Sequence, residues 1–177
     1  MSEIVDLSQE IYSGMPVFAG LPEVRITVHA THEQWDGIVD SDVVSPAVNR
    51  MELGEHTGSH VDALSHMARQ YRGHSIDTMP LSMFYTEGIC LDLSHKRLRE
   101  LIEPDDLTDA LAAAGQTIQP GDTVLLYTDH YRRAFGTDDW PHGPGISALA
   151  ARWLGQQQIA AFGVEVPVVA HPLADPE

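Results

Sequence analysis

Three imidazoles and a carboxyl group crowd one short stretch, His56-Thr57-Gly58-Ser59-His60-Val61-Asp62-Ala63-Leu64-Ser65-His66. Read as an extended backbone, positions 56, 58, 60 and 62 share one face, because side chains alternate along a strand. Three of those four are ligand-type residues, and Gly58 adds no bulk where an ion and its water need room. Two imidazoles and a carboxylate suit a divalent cation and leave coordination positions open for water and substrate. A helix fits less well, since Gly58 weakens it and His60 and Asp62 would splay apart. The spacing therefore predicts a metal site made by His56, His60 and Asp62. The competing reading is chance clustering, in a chain that carries ten histidines.

Other chemistry-bearing residues have plainer readings. His29 and His32 decorate the end of an alternating segment, Asp129-His130 follows a strand and suits a turn, and Asp138-Asp139 suits a solvated loop. Trp35 is either a lid aromatic or a packing residue. The single cysteine, Cys90, lies in the apolar run 88–93 and is expected to be a buried, inert thiol. It permits no intrachain disulfide and no thiolate zinc cluster. No Gly-x-Ser-x-Gly elbow occurs, which disfavours a serine nucleophile.

The elements that must position this stretch follow from periodicity and turn chemistry. Segments 4–7, 24–31, 48–53, 89–93, 123–127 and 159–164 read as strands. Segment 104–115 reads as a helix with an acidic first turn and Gly115 as terminator, and 146–155 has helical spacing. Residues 33–47 lack periodicity and read as an exposed loop. The fold class is mixed α/β, strand-rich with a few helices. A length of 177 residues with 43% hydrophobic content suits a single domain over 1–177. A formal net charge of −16 excludes a phosphate-binding surface, so no nucleic-acid partner is expected. No run of eighteen apolar residues occurs and no signal-like leader opens the sequence, so the expectation is a cytoplasmic protein without a membrane partner.

The same stretch resembles the signature of the bacterial cyclase family, His-x-Gly-Thr-His-x-Asp-x-Pro-x-His, whose members include kynurenine formamidases and isatin hydrolases. The resemblance extends to Asp6-Leu7-Ser8 with Gly14-Met15-Pro16-Val17-Phe18, to 74–81, to Pro120-Gly121-Asp122-Thr123-Val124-Leu125-Leu126, to Pro144-Gly145-Ile146-Ser147, and to Trp153-Leu154 with Phe162-Gly163-Val164. It implies a swivelling β/β/α fold and a hydrolase acting on a cyclic or aryl amide. Lactone hydrolysis, cyclisation, or a non-catalytic binding role on the same fold stand as alternatives.

The resemblance also implies His56, His60 and Asp62 as ligands of zinc or manganese, and a homodimer or larger homo-oligomer acting on a small molecule. His66 is implied as a proton shuttle, against the alternative that it orients Asp62. Phe18 is implied as a substrate-stacking residue, against a place in the core. Three departures stand out: Ser59 for threonine, Leu64 for proline, and Glu165-Val166 for a frequent Asp-Thr pair. Relatives continue with a downstream His and Glu that help bind a second metal in the formamidases. That C-terminal segment has no counterpart here, so either this chain is a fragment or the protein works with one ion, and a second ion is left open. His171 is not assigned the role of that histidine.

Overall fold

The computed structural model describes residues 3–36, 38, 41, 43–167 and 169. Its centre is a three-stranded parallel sheet in the second half of the chain. Among the described residues, regular elements occur in the order β1 (Arg25–Ala30), β2 (Val48–Glu52), α1 (Leu64–Met67), β3 (Gly88–Asp92), β4 (Leu101–Ile102), α2 (Pro104–Ala114), β5 (Thr123–Tyr127), α3 (His130–Ala134), β6 (Gly145–Ile146), α4 (Ala148–Gln156) and β7 (Ala161–Val164). Short single-turn helices fill some of the connections.

The sheet has the order β3-β5-β7, with Cys90 level with Leu125 and Leu125 level with Gly163. Parallel neighbours need crossover connections, and α2 and α4 lie in those crossovers. Both helices contribute to the one core. Leu91, Leu93, Val124 and Leu126 from the strand segments meet Leu107 and Ala110 of α2 and Ala150 and Leu154 of α4. The helix starts are tied together: the Glu103 N–H donates to Asp106 Oδ2 at 2.7 Å, and Ser147 Oγ donates to Glu103 Oε2 at 2.7 Å. Ser147 Oγ also accepts the Ala150 N–H at 3.0 Å, capping α4. Gly115 ends α2 with a φ of 61°, the left-handed conformation that glycine adopts without steric cost.

The first half is built differently. β1 and β2 form an antiparallel two-stranded ribbon, and none of its residues is buried. Ile26, Val28 and Met51 occupy one face of the ribbon, while Arg25, Thr27, Arg50 and Glu52 occupy the other. Two strands alone bury too little to be stable, so this ribbon depends on what surrounds it.

Three sequence expectations change. Residues 4–7 form no strand and are exposed, since a short apolar segment without a neighbouring strand has a backbone with nothing to pair. Ile146 belongs to β6, and the helix starts after the Ser147 cap. Cys90 is exposed, because β3 alternates and turns Ile89 and Leu91, not residue 90, into the core. Among the described residues, no helix is long and apolar enough to cross a membrane.

Candidate functional site

The stretch from 54 to 66 leaves β2 as a turn rather than as an extended strand. Gly58 sets the geometry with a φ of +67°, in the left-handed region. A Cβ at that position would also press on Ile11 Cγ1 at 3.1 Å. Gly58 therefore serves the turn and its close packing on the N-terminal loop, not room for an ion. The Gln9 N–H donates to Ser59 Oγ at 2.9 Å, a second tie to that loop, and it uses the hydroxyl that Ser59 shares with threonine. Thr57 and Ala63 are buried and act as anchors on either side of the turn. Farther on, the Ser65 N–H donates to the His74 carbonyl at 3.2 Å. α1 begins at Leu64, the place where the signature has proline.

The turn brings all four ligand-type side chains together. Asp62 Oδ1 lies 2.8 Å from His56 Nδ1 and 3.3 Å from His60 Nε2. The His56 ring sits 5.1 Å from that of His60 and 3.9 Å from that of His66, centroid to centroid. Ligand atoms of His56, Asp62 and His66 all fall within 4.8 Å of one another. By this geometry His66 groups with His56 and Asp62, whereas His60 lies outside that set and joins it through Asp62.

His60 Nδ1 is 2.8 Å from the Gly58 carbonyl. A carbonyl only accepts, so Nδ1 carries the hydrogen and Nε2 presents its lone pair towards Asp62. The donor set is thus nitrogen and carboxylate oxygen at ligand–ligand spacings that one divalent ion can bridge, with the His60 tautomer already arranged for it. The cluster fits a divalent metal ion.

The remaining candidates separate. Phe18 is 40% exposed, so the core reading fails, while Met15 in the same loop is buried. No ring contact joins Phe18 to the histidines among the described residues. Trp35 is half-buried, with an indole N–H lacking a partner among the described residues. His29 and His32 are exposed, and Asp138 and Asp139 are solvated as expected. His171 lies outside the described residues.

Asp129 takes the turn role, with a φ of 58° at the start of α3. Arg132 grips its carboxylate with Nε at 2.8 Å and Nη2 at 2.9 Å, and the Tyr127 hydroxyl donates at 2.9 Å. The Arg132 hydrogen bonds, followed by that of Tyr127, hold the Asp129 carboxyl down at about 2. His130 is fully buried, its Nε2–H donating to the Trp140 carbonyl at 2.9 Å. Gly143 packs against this ring and against Val166 so closely that no side chain fits there. Glu165, at the departure from the Asp-Thr pair, accepts both the Thr128 N–H at 2.6 Å and the Thr128 hydroxyl at 2.8 Å. That cluster is a structural clamp at the carboxyl end of β5 and β7.

Residues 5–171 match the family model described as "Putative cyclase". The chain belongs to the Cyclase family. It is 27% identical over 180 residues to the isatin hydrolase of Roseibium aggregatum, spanning 91% of this chain and 65% of that protein. It is 30% identical over 177 residues to the kynurenine formamidase of Maricaulis maris, spanning all of this chain and 73% of that one. Isatin hydrolase A from Ralstonia solanacearum superposes with a TM-score of 0.78 at 27% identity, over 97% of this chain and 72% of the other. A solved structure described as a potential metal-dependent hydrolase with cyclase activity matches at a TM-score of 0.66 and 26% identity, over 95% and 70%. The mixed α/β architecture is that of these hydrolases, and this chain spans roughly two thirds to three quarters of their length.

Two contributors were not legible in the sequence. Glu55 lacks any periodic relation to the histidines, yet its carboxylate reaches the His56 ring at 3.5 Å. Gln9 is distant in sequence, and only the Ser59 hydroxyl hinted that the turn would be tied to something.

Proposed function

We propose that this protein is a metal-dependent hydrolase that cleaves the C–N bond of a cyclic or aryl amide with a single divalent ion, zinc or manganese. The observation that carries the reading is the meeting of His56 Nδ1 and His60 Nε2 on one oxygen of Asp62. His56, His60 and Asp62 would hold the ion. When bound, such an ion lowers the pKa of water towards ~7 and draws charge from a developing oxyanion.

The chain's own residues supply the rest. Asp62 gives the negative charge that makes the site attract a cation, and the Gly58 carbonyl keeps His60 in the tautomer that donates a lone pair. His66 stands beside His56 and is exposed to solvent. An imidazole can both accept and donate a proton, so His66 can take a proton from water and return it to the departing nitrogen. Phe18, exposed in the opening loop, offers an aromatic face to an aryl substrate.

We further propose that the protein works in the cytoplasm, on a small molecule, as a homodimer or larger homo-oligomer. The exposed apolar face of the β1–β2 ribbon, with Val28 and Met51, supports an assembly that covers it.

A hydrolysis screen of N-formylkynurenine, isatin and simple lactones, with zinc and with manganese, tests the substrate class. Turnover of an amide is expected, and turnover of lactones alone would replace the amide reading. For the shuttle, His66→Ala is expected to retain the ion by metal analysis and to lose ~100-fold or more in turnover. Loss of the ion instead would make His66 a ligand, and full activity would remove it from the chemistry.

A further inference from the structure

Two buried polar atoms flank the turn that carries the imidazoles, and neither has a hydrogen-bond partner among the described residues. One is Thr57 Oγ1, on a residue only 5% exposed, and the other is Gln9 Nε2. An unpaired hydroxyl or amide in the interior costs more than an ordinary hydrogen bond contributes, so native structures rarely leave one.

Both atoms belong to the seam between the turn and the N-terminal loop. The Gln9 N–H donates to Ser59 Oγ at 2.9 Å, two residues after Thr57. The Gln9 carbonyl lies 3.8 Å from the place that a Cβ on Gly58 would take, next to Thr57 in sequence. Thr57 Oγ1 lies 3.8 Å from the corresponding place on Gly54, and that place meets the Pro22 ring at 3.1 Å. The Thr57 hydroxyl therefore lies where the turn meets the loop that carries Gln9.

The chemistry of the pair narrows what can satisfy it. An amide N–H only donates, so its partner must accept, whereas the hydroxyl does either. A metal cation offers the amide nothing to donate to. An anion would accept, but Ile11, Pro22 and Ser59 carry no charge to offset the cost of burying one. A water molecule accepts from the amide and exchanges a hydrogen bond with the hydroxyl. It serves equally if the amide is turned to present its oxygen.

We propose that Thr57 and Gln9 form a buried water site that fastens the N-terminal loop to the turn bearing His56, His60 and Asp62. The inference stands apart from the metal reading, since it needs no ion. The loop held in this way is the one that carries Phe18. The opposing view is that each atom is a plain unpaired group, tolerated because the apolar contacts around it outweigh its cost. The two views differ in sign. A true orphan is relieved by an apolar side chain of the same shape, whereas a group bonded to water is missed.

The test uses the full-length, metal-free protein. Urea unfolding is measured for the wild type, Thr57→Val, Gln9→Met and the double variant, and a high-resolution crystal structure of the wild type is examined for ordered water. Each single exchange is expected to raise the unfolding equilibrium constant about fivefold, the loss of roughly one hydrogen bond. The double variant should fall short of the product of the two, because a water lost with the first exchange cannot be lost again. The crystal structure should show one water within hydrogen-bond distance of both side chains. A single exchange that leaves the constant unchanged or lowers it overturns the proposal. So does a double effect equal to the product, which would mean separate partners. A crystal structure in which the two side chains bond each other, or bond other groups without a shared water, overturns it as well.

Discussion

Residues 88–164 and residues 25–87 of the same chain are held together by different physics. In the later region Leu91, Leu93, Leu107, Val124 and Ala150 are wholly removed from water, and one contiguous core ties the sheet to α2 and α4. The earlier region has a ribbon with no buried residue, and Ala63 is its single buried hydrophobic among the described residues. Yet the earlier region carries His56, His60, Asp62 and His66. Those side chains are placed by a left-handed glycine, a few hydrogen bonds to neighbouring loops and two buried anchors. The proposed site sits where the core does not reach, so damage to one is expected to be separable from damage to the other.

The sharpest break in that comparison comes from Asp62→Ala. One oxygen of this carboxylate faces both His56 and His60, so its loss removes a charge and the common centre of the set. Metal affinity should fall by more than the ~100-fold that follows loss of a group merely supporting a ligand, and turnover should fall with it. The urea midpoint of the metal-free protein should change little. Measured by chelator competition and urea unfolding, a variant that binds metal normally would dissolve the site, and one that fails to fold would dissolve the separation.

Leu126→Ala is the mirror experiment. Leu126 is 1% exposed in the central strand, so truncation leaves a cavity between sheet and helices. A loss of about 2–5 kcal/mol in urea unfolding is expected, with metal affinity per folded molecule unchanged. If the affinity of the folded fraction also drops, the site and the core are one cooperative unit.

How much of this was readable beforehand follows the same division. The runs at 89–93 and 123–127 were legible because buried parallel strands are short apolar runs bounded by turn residues. α2 was legible through its acidic first turn and Gly115. Residues 4–7 are another short, mostly apolar segment but form no strand, since pairing is a property of neighbours and not of the segment. Cys90 shows a reading that stopped too early: period-two alternation, applied within the run, already turns it away from Ile89 and Leu91. At the site, residue types and spacing picked out side chains that the structure brings together, but for a different backbone reason. The extended-strand argument put 56, 60 and 62 on one face and set His66 just beyond them. The left-handed turn at Gly58 draws all four inward, and no periodicity encodes that turn. Glu55 stayed invisible because its relation to His56 is one of contact alone.

Gly58→Ala sharpens the comparison by perturbing the turn without touching a ligand. A residue with a Cβ pays about 1–2 kcal/mol in the left-handed region, and here the added carbon also meets Ile11. The expected result is a modest drop in the unfolding midpoint together with weaker metal binding, because the turn that brings the imidazoles together would relax. Normal affinity in this variant would show that the ligands find their positions without the turn, and the account of how the loop is placed would fall.

The smallest effect is expected at Cys90, which tests the other side of the core. The sheet face carrying Cys90 and Tyr127 is open, in contrast to the face covered by α2 and α4. Cys90→Ser should therefore change stability by no more than about 0.5 kcal/mol, as at exposed positions generally. Partial burial of the sulfur, followed by the Asp92 and Glu165 carboxylates, pushes the thiol pKa up. An aromatic disulfide reagent at neutral pH should accordingly label it completely but slowly, because only the thiolate attacks. A cost of ~2 kcal/mol or more, or a thiol that labels only after unfolding, would mean that this face is covered in the working protein. A parallel sheet is ordinarily packed on both sides, so that outcome would move Cys90 into an interface and extend the core beyond the residues that now define it.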